Sequence, residues 1–129
     1  MKTIGIIDSH PVLRKGMRYL LTTLLIEVEI LEARSINDFY ETYPNIKPDL
    51  IILAIGQNPP VTNKMYLVHK ALNWYQDVKI IVYDEETDPH MVSRYLNSGI
   101  HGYVSKQGKI TELVACIMDV MDGYHYARV

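Results

Sequence analysis

Short apolar runs alternate with amphipathic stretches along the whole chain. The most continuous run, Leu50-Ile51-Ile52-Leu53, follows Pro48-Asp49 and ends at Ala54. Because every residue of the run is large and apolar, the pattern predicts a strand that is covered on both faces, as at the centre of a parallel sheet. Position 54 then lies at the carboxyl end of that strand, where ligands and reactive groups of open parallel sheets are found. It holds alanine, whose methyl group can neither donate, accept nor attack.

The rest of the pattern predicts five strands, each followed by a helix. Pro11 suits the first position of a helix, while Ser35 and Asp88 are residues that cap a first turn. Gly123 predicts the end of the last helix. The predicted strands are 3–7, 28–33, 49–54, 78–83 and 103–104, with a breaker-rich loop over 55–60, and the predicted helices cover about 11–23, 36–43, 62–75, 89–97 and 110–121.

Regular alternation of strand and helix predicts an α/β fold, in which right-handed crossovers place helices on both faces of a parallel sheet. For five strands, we expect a single doubly wound domain with the flavodoxin-like order 2-1-3-4-5. This order puts the switch point between the first and third strands. Asp8, Ser9 and Ala54 are therefore expected to meet there, with Asp84 and Lys106 at the ends of the fourth and fifth strands.

Composition narrows the classes of function. With 129 residues, of which 48% are hydrophobic and 22% charged, the chain matches one ordinary globular domain. A net charge of -2 provides no overall basic field, so DNA contact is expected only through a separate module. Cys116 is the only cysteine, which excludes an internal disulfide and fits a reducing cytoplasm. The N-terminal apolar run is too short for a signal peptide or a membrane span, so we expect a cytoplasmic protein without membrane contact.

Three stretches give the chain a family resemblance: IIDSHP at 6–11, KPDLIIL at 47–53 and SGIHGYVSK at 98–106. At this spacing in a fivefold strand–helix pattern, they resemble the receiver domain (CheY-like) of two-component response regulators over essentially the whole chain. The Asp-x-His-Pro form and the lack of proline after Lys106 are similar to receivers that precede a LuxR-type (NarL/FixJ-like) helix-turn-helix.

The resemblance implies a phosphorylation pocket with five positions. Working receivers carry an acidic pair after the first strand, a phosphoacceptor aspartate ending the third, a Ser/Thr ending the fourth and a lysine after the fifth. The acids hold Mg²⁺, while the hydroxyl and the lysine bind phosphoryl oxygens. Asp8 keeps the first acid and Lys106 keeps the lysine. The other three positions are changed: they hold Ser9, Ala54 and Asp84.

We therefore expect a degenerate receiver (a pseudoreceiver) that is neither phosphorylated nor an enzyme. Without a carboxylate at position 54 no nucleophile can form an acyl phosphate, and Asp84 repels phosphoryl oxygens. A lysine that is buried in this pocket needs a counter-charge, because an unpaired buried charge is very costly. We therefore predict that Lys106 forms an ion pair with Asp84 or Asp8. Tyr103, which keeps the aromatic that normally couples to the hydroxyl, is then expected in one rotamer. No cofactor is expected, and Mg²⁺ would bind weakly, through Asp8 if at all.

Residues 1–124 are expected to form the receiver-like domain and residues 125–129 the start of a linker, with no helix-turn-helix output domain in this chain. The resemblance implies a regulatory module of a transcriptional response regulator. It would act by homodimerisation, by heterodimerisation with another response regulator, or by partner docking. The first and last helices or the face of the fourth and fifth helices would supply the surface. A sensor histidine kinase is a further implied partner.

Two alternatives stay open. One is an ordinary phosphorylatable receiver in which Ala54 is a substitution, and the native codon for this position decides it. The other is a small-molecule sensor of flavodoxin-like fold. Flavin binding needs a Ser/Thr/Gly-rich phosphate loop after the first strand, and DSHPVL at 8–13 matches it poorly. A metal held by Asp8 and Asp84 lacks a third ligand, so these carboxylates are expected to be solvated or paired with lysine.

Overall fold

The structure, a computed structural model, describes residues 1–25, 27–56, 61–74, 76–85 and 88–128. In this part of the chain, six strands alternate with five helices. Two predictions lie outside the described residues: the loop over 57–60, and Tyr75 at the end of the third predicted helix. The strands are β1 (Lys2–Ile7), β2 (Val28–Ala33), β3 (Leu50–Ala54), β4 (Lys79–Asp84), β5 (Gly102–Ser105) and β6 (Tyr126–Arg128). The helices are α1 (Pro11–Leu24), α2 (Ile36–Thr42), α3 (Val61–Trp74), α4 (Pro89–Asn97) and α5 (Ile110–Met121).

All neighbouring strands are parallel, and the sheet order is β2-β1-β3-β4-β5-β6. The first five strands therefore follow the predicted order, with the reversal of winding between β1 and β3. The predicted number of five strands is wrong, because β6 extends the sheet beyond β5 within the residues expected to begin a linker.

The sixth strand is attached to β5 by backbone pairing and by a pair of histidine rings. Gly102 lies opposite Tyr126 in the register, and the Tyr126 N–H donates to the His101 carbonyl over 3.1 Å. The rings of His101 and His125 stack with their centroids 5.6 Å apart and their planes at 11°. Three residues without an apolar run carry no strand signal, so tertiary pairing alone defines β6.

The sheet separates two hydrophobic cores, because successive side chains of a strand point to opposite faces. Ile51 and Leu53 of β3 pack on the side of α2, α3 and α4, whereas Leu50 and Ile52 pack on the side of α1 and α5. All four are essentially inaccessible to solvent. The prediction that β3 is a central strand covered on both faces is confirmed.

Local signals at the helix ends agree with the sequence. The Ser35 hydroxyl accepts the Asp38 N–H, and the Asp88 carboxylate accepts the His90 N–H, each over 3.0 Å. Gly123 follows α5 with a φ of 96°, a left-handed conformation that favours glycine. None of the helices within the described residues combines the length and apolar character that crossing a membrane requires.

His101 makes the stability of the fold sensitive to acid. Its Nδ1 accepts the Ile80 N–H over 3.1 Å, so this nitrogen is unprotonated in the folded chain. Burial, followed by the charges of His125 and Lys79, lowers the His101 pKa. The unfolded chain thus binds a proton more readily, and stability is lost as pH falls from the unfolded pKa of about 6.5 through the lower folded value.

We expect His101→Asn to flatten this pH dependence, because the Asn oxygen accepts the Ile80 N–H and does not protonate. Urea unfolding measured across the window below pH ~6.5 tests this. The matched control is His69→Asn, because His69 is exposed on α3. If the wild type and His101→Asn lose stability in parallel on acidification, His101 is not the titrating group.

Candidate functional site

The carboxyl ends of the central strands meet at one edge of the sheet. The register pairs Ile7 with Leu53, and Ala54 with Tyr83. Asp84 is in turn paired with Ser105. Each predicted site position ends one of these strands or follows it directly. These positions are Asp8 and Ser9 after β1, Ala54 in β3, Asp84 in β4 and Lys106 after β5.

Asp84 is buried and fully engaged by neighbouring donors. Its side chain is 0% exposed, and the Lys64 ammonium lies 3.1 Å from Oδ2 and 3.5 Å from Oδ1. The Tyr95 hydroxyl donates to Oδ2 over 2.8 Å, and the Glu85 N–H donates to Oδ1 over 2.7 Å. Both oxygens therefore have donors, and the negative charge is balanced by a lysine that is itself buried.

Tyr103 extends this cluster towards β5. Its side chain is completely buried, and its hydroxyl donates to the backbone carbonyl of Asp84 over 3.4 Å. Its ring stacks on that of Tyr95, with centroids 5.6 Å apart and an interplanar angle of 19°. Tyr103 therefore points inward in this structure, and its restriction to one rotamer stays a prediction. We call Lys64, Asp84, Tyr95 and Tyr103 the buried cluster.

Lys106 does not form the predicted ion pair. Within the part of the chain that the structure describes, no carboxylate lies within ion-pair distance of its ammonium. The ammonium instead lies 5.9 Å from the ring centroid of Tyr83. Asp84 is not its partner because side chains alternate along β4: Tyr83 faces α1 and α5, whereas Asp84 faces α3 and α4, away from Lys106.

Asp8 is paired locally with the loop that enters α1. It is 3% exposed, its Oδ1 accepts the His10 N–H over 3.0 Å, and the same oxygen lies 3.0 Å from His10 Nδ1. Arg14 donates to the Asp8 backbone carbonyl over 2.7 Å. Burial raises the pKa of the Tyr83 phenol, and the Asp8 charge raises it further. Asp8, Tyr83 and Lys106 thus belong to the α1–α5 side of the edge.

The residues present do not fit a magnesium site. Mg²⁺ requires several hard oxygen ligands in near-octahedral geometry. Asp8 offers one carboxylate, already bonded to His10, while Ser9 is exposed and Ala54 has no oxygen on its side chain. Among the described residues, no three carboxylate, imidazole or thiol side chains gather closely enough to hold a metal.

A family model described as "Response regulator receiver domain" matches residues 4–118. The chain belongs to this family. Among curated relatives, DegU of Brevibacillus brevis is 27% identical over 124 residues, covering 95% of this chain and 51% of DegU. BvgA of Bordetella pertussis is 30% identical over 121 residues, covering 94% and 56%. This receiver domain thus spans about half the length of these relatives.

Solved structures agree with the receiver fold. The isolated receiver domain of RcsB from Salmonella enterica serovar Typhimurium superposes with a TM-score of 0.82 at 23% identity, covering 98% of this chain and 93% of that one. A LuxR-family response regulator from Aurantimonas sp. SI85-9A1 gives a TM-score of 0.80 at 21% identity, covering 96% and 87%. These likenesses show that the chain has the receiver fold, in agreement with the family model.

The predicted site positions at the carboxyl ends of the strands fall into two groups. Asp8 and Lys106 lie on the α1–α5 side with Tyr83, while Asp84 joins α3 and α4. Sequence reasoning missed Lys64, although a signal exists. Lys64 precedes Val68 by four residues, on the helical stripe that faces the sheet, so a lysine there needs a buried partner.

Proposed function

We propose that this receiver domain carries its signal without being phosphorylated, as a degenerate receiver of a transcriptional response regulator. The observation that carries the proposal is the buried ion pair between Lys64 and Asp84. In working receivers, this position of the fourth strand supplies a hydroxyl to the phosphoryl group. Here it holds a carboxylate whose charge is already balanced and whose oxygens are bonded.

The chemistry of phosphoryl transfer supports the same conclusion. Ala54, at the end of β3, has no nucleophile, and the donor set around Asp8 does not fit the metal that offsets phosphoryl charge. Asp84 is not a substitute acceptor, because its completely buried carboxylate is enclosed by Lys64 and Tyr95. The remaining cation, Lys106, is left without the phosphoryl group that it would otherwise bind.

We also propose that the chain dimerises through the surface of α1 and α5. Large apolar side chains are exposed on these helices: Tyr19 and Leu24 on α1, and Met118 on α5. A solved complex of the similar RcsB is described as two RcsB dimers bound to two parallel DNAs. With a net charge of -2, this chain would act on DNA through a separate domain. Another response regulator or a sensor histidine kinase is an alternative partner of this surface.

Incubation with acetyl phosphate and Mg²⁺ is expected to leave both the mass and the oligomeric state unchanged. Intact-mass spectrometry and sedimentation velocity before and after incubation measure these, with a LuxR-type receiver that retains its acceptor as positive control. A hydroxylamine-sensitive adduct would contradict the first proposal. Sedimentation as a monomer at every concentration would contradict the second.

A further inference from the structure

A groove opens between the start of α1 and the start of α5, on the side of the sheet opposite the buried cluster. Its cavity volume is about 510 Å³, within the range of small-molecule sites. The side chain of Tyr83 lines it, as do Val12 and Leu13 from α1 and Ile110 from α5. We call this the α1–α5 groove.

The apolar part of the groove is left open by the chain itself. Val12 is 82% exposed and Leu13 is 49% exposed, although both are large apolar residues at the entrance of a helix. Gly16 also lines the groove, and a Cβ built on it would meet nothing within 4 Å. Glycine in the middle of a helix lowers the stability of the helix. At this position the missing side chain leaves the groove wide.

The polar end of the groove is formed by Lys106 with Asp8 and Glu85. Within the described residues, the Lys106 ammonium makes no ion pair, whereas Asp8 already accepts from His10. A single carboxylate can bond directly to the Lys106 ammonium, whereas the carboxylates of Asp8 and Glu85 would repel the second charge of a dianionic group.

From this arrangement we propose that the α1–α5 groove binds a small organic acid, with its carboxylate on Lys106 and its apolar body between Val12, Leu13 and Ile110. The inference rests on the proposed function in one respect, since Lys106 is available only if no phosphoryl group occupies it. A ligand here would touch both helices of the proposed dimer surface, so its binding would be the input that phosphorylation supplies elsewhere.

The test uses three probes that share one phenylpropyl body: 4-phenylbutyrate, 3-phenylpropylamine and 3-phenylpropyl phosphate. Each is titrated into the ¹⁵N-labelled chain while backbone amide shifts are recorded. We expect saturable shifts from 4-phenylbutyrate at the amides of Leu13, Gly16 and Lys106. The amine and the phosphate, which carry the wrong charge, are expected to bind about tenfold more weakly or worse.

Paired variants separate the groove from the rest of the surface. Lys106→Gln is expected to weaken the binding of 4-phenylbutyrate by about tenfold or more. Lys109→Gln removes an equal charge outside the groove and is expected to leave this binding unchanged. Gly16→Leu fills the groove and abolishes binding, whereas Gly16→Ala leaves most of the space. If Gly16→Leu fails to fold, the two lysine variants still decide the outcome.

Three results would overturn the proposal: absence of saturable shifts at these amides, binding of the amine as tightly as the acid, or equal affinity in Lys106→Gln and the wild type. The titrations are run at constant protein concentration, so amide shifts caused by the proposed dimerisation do not enter the comparison. Phosphorylation is read by mass in a separate experiment, so an adduct there refutes the proposed function and not the measured occupancy of the groove.

Discussion

Lys64→Met is expected to lower the free energy of unfolding by about 3–5 kcal/mol, since it leaves the Asp84 charge buried without its counter-ion. Asp84 is completely buried, and its neutral donors, the Tyr95 hydroxyl and the Glu85 N–H, cannot replace an ammonium that lies 3.1 Å away. Methionine matches the length of the lysine stem, so the change removes charge and little volume. Urea unfolding followed by circular dichroism measures the difference.

A second lysine supplies the matched control for this result. Lys47 also lies 3.1 Å from a carboxylate, that of Asp77, but these side chains are 63% and 82% exposed, against 7% and 0% for Lys64 and Asp84. Lys47→Met is therefore expected to lower stability by less than about 1 kcal/mol. Adding Asp84→Asn to Lys64→Met removes the unpaired charge and should recover most of the loss. Equal losses of stability in the two lysine variants would show that the buried Lys64–Asp84 pair stabilises the fold no more than an exposed ion pair does.

Ala54→Asp alone is expected to leave the chain unphosphorylated by acetyl phosphate and Mg²⁺. The added carboxylate supplies a nucleophile, but the second acid for the metal and the hydroxyl that binds the phosphoryl group are still missing. A combined variant, with Ser9→Asp, Ala54→Asp, Asp84→Thr and Lys64→Met, is expected to gain the mass of one phosphoryl group. Lys64 is included because without Asp84 it would become a buried, unpaired cation.

The same combined variant with asparagine at position 54 is the control, because it keeps the remodelled pocket and lacks the nucleophile. Intact-mass spectrometry with and without hydroxylamine distinguishes an acyl phosphate from other adducts. Uptake of phosphate by the single Ala54→Asp variant to the same extent would contradict the role given to the Lys64–Asp84 pair. It would mean that only the acceptor had been missing.

Much of the fold was predictable because its signals are local. The apolar run of β3 and the caps at Ser35 and Asp88 each depend on a few neighbouring residues. Leu113 and Ile117, four residues apart within the predicted helix over 110–121, are buried on one face of α5. The strand β6 was not predictable in this way, since its pairing partner lies on β5, and nothing in its own three residues requires an extended conformation.

On the first helix, the apolar spacing was a poor guide to burial. Leu13 and Leu24 lie four residues before and seven after Met17, at helical spacing, yet both are exposed, while Met17 and Leu21 face the core. The helix was correctly predicted because the pattern indicates its period. Which apolar residues remain outside depends on how the helix lies on the sheet, which the period does not specify.

The candidate site was predictable in its position and not in its pairing. Topology dictates that residues at the carboxyl ends of parallel strands share one edge, so Asp8, Asp84 and Lys106 were placed there correctly. Whether Asp84 points towards Lys106 or towards α3 depends on which residues of β4 face each side of the sheet. The partner that satisfies it, Lys64, lies twenty residues earlier on another element.

The sixth strand has a consequence for recruitment of other proteins. By pairing with β5, Tyr126–Arg128 takes the backbone groups that an extended peptide would use to join the sheet on that side. Within the described residues, the strand that now forms this edge of the sheet has three residues, and such short edge strands template further strands poorly. A peptide competitor would first have to displace this segment.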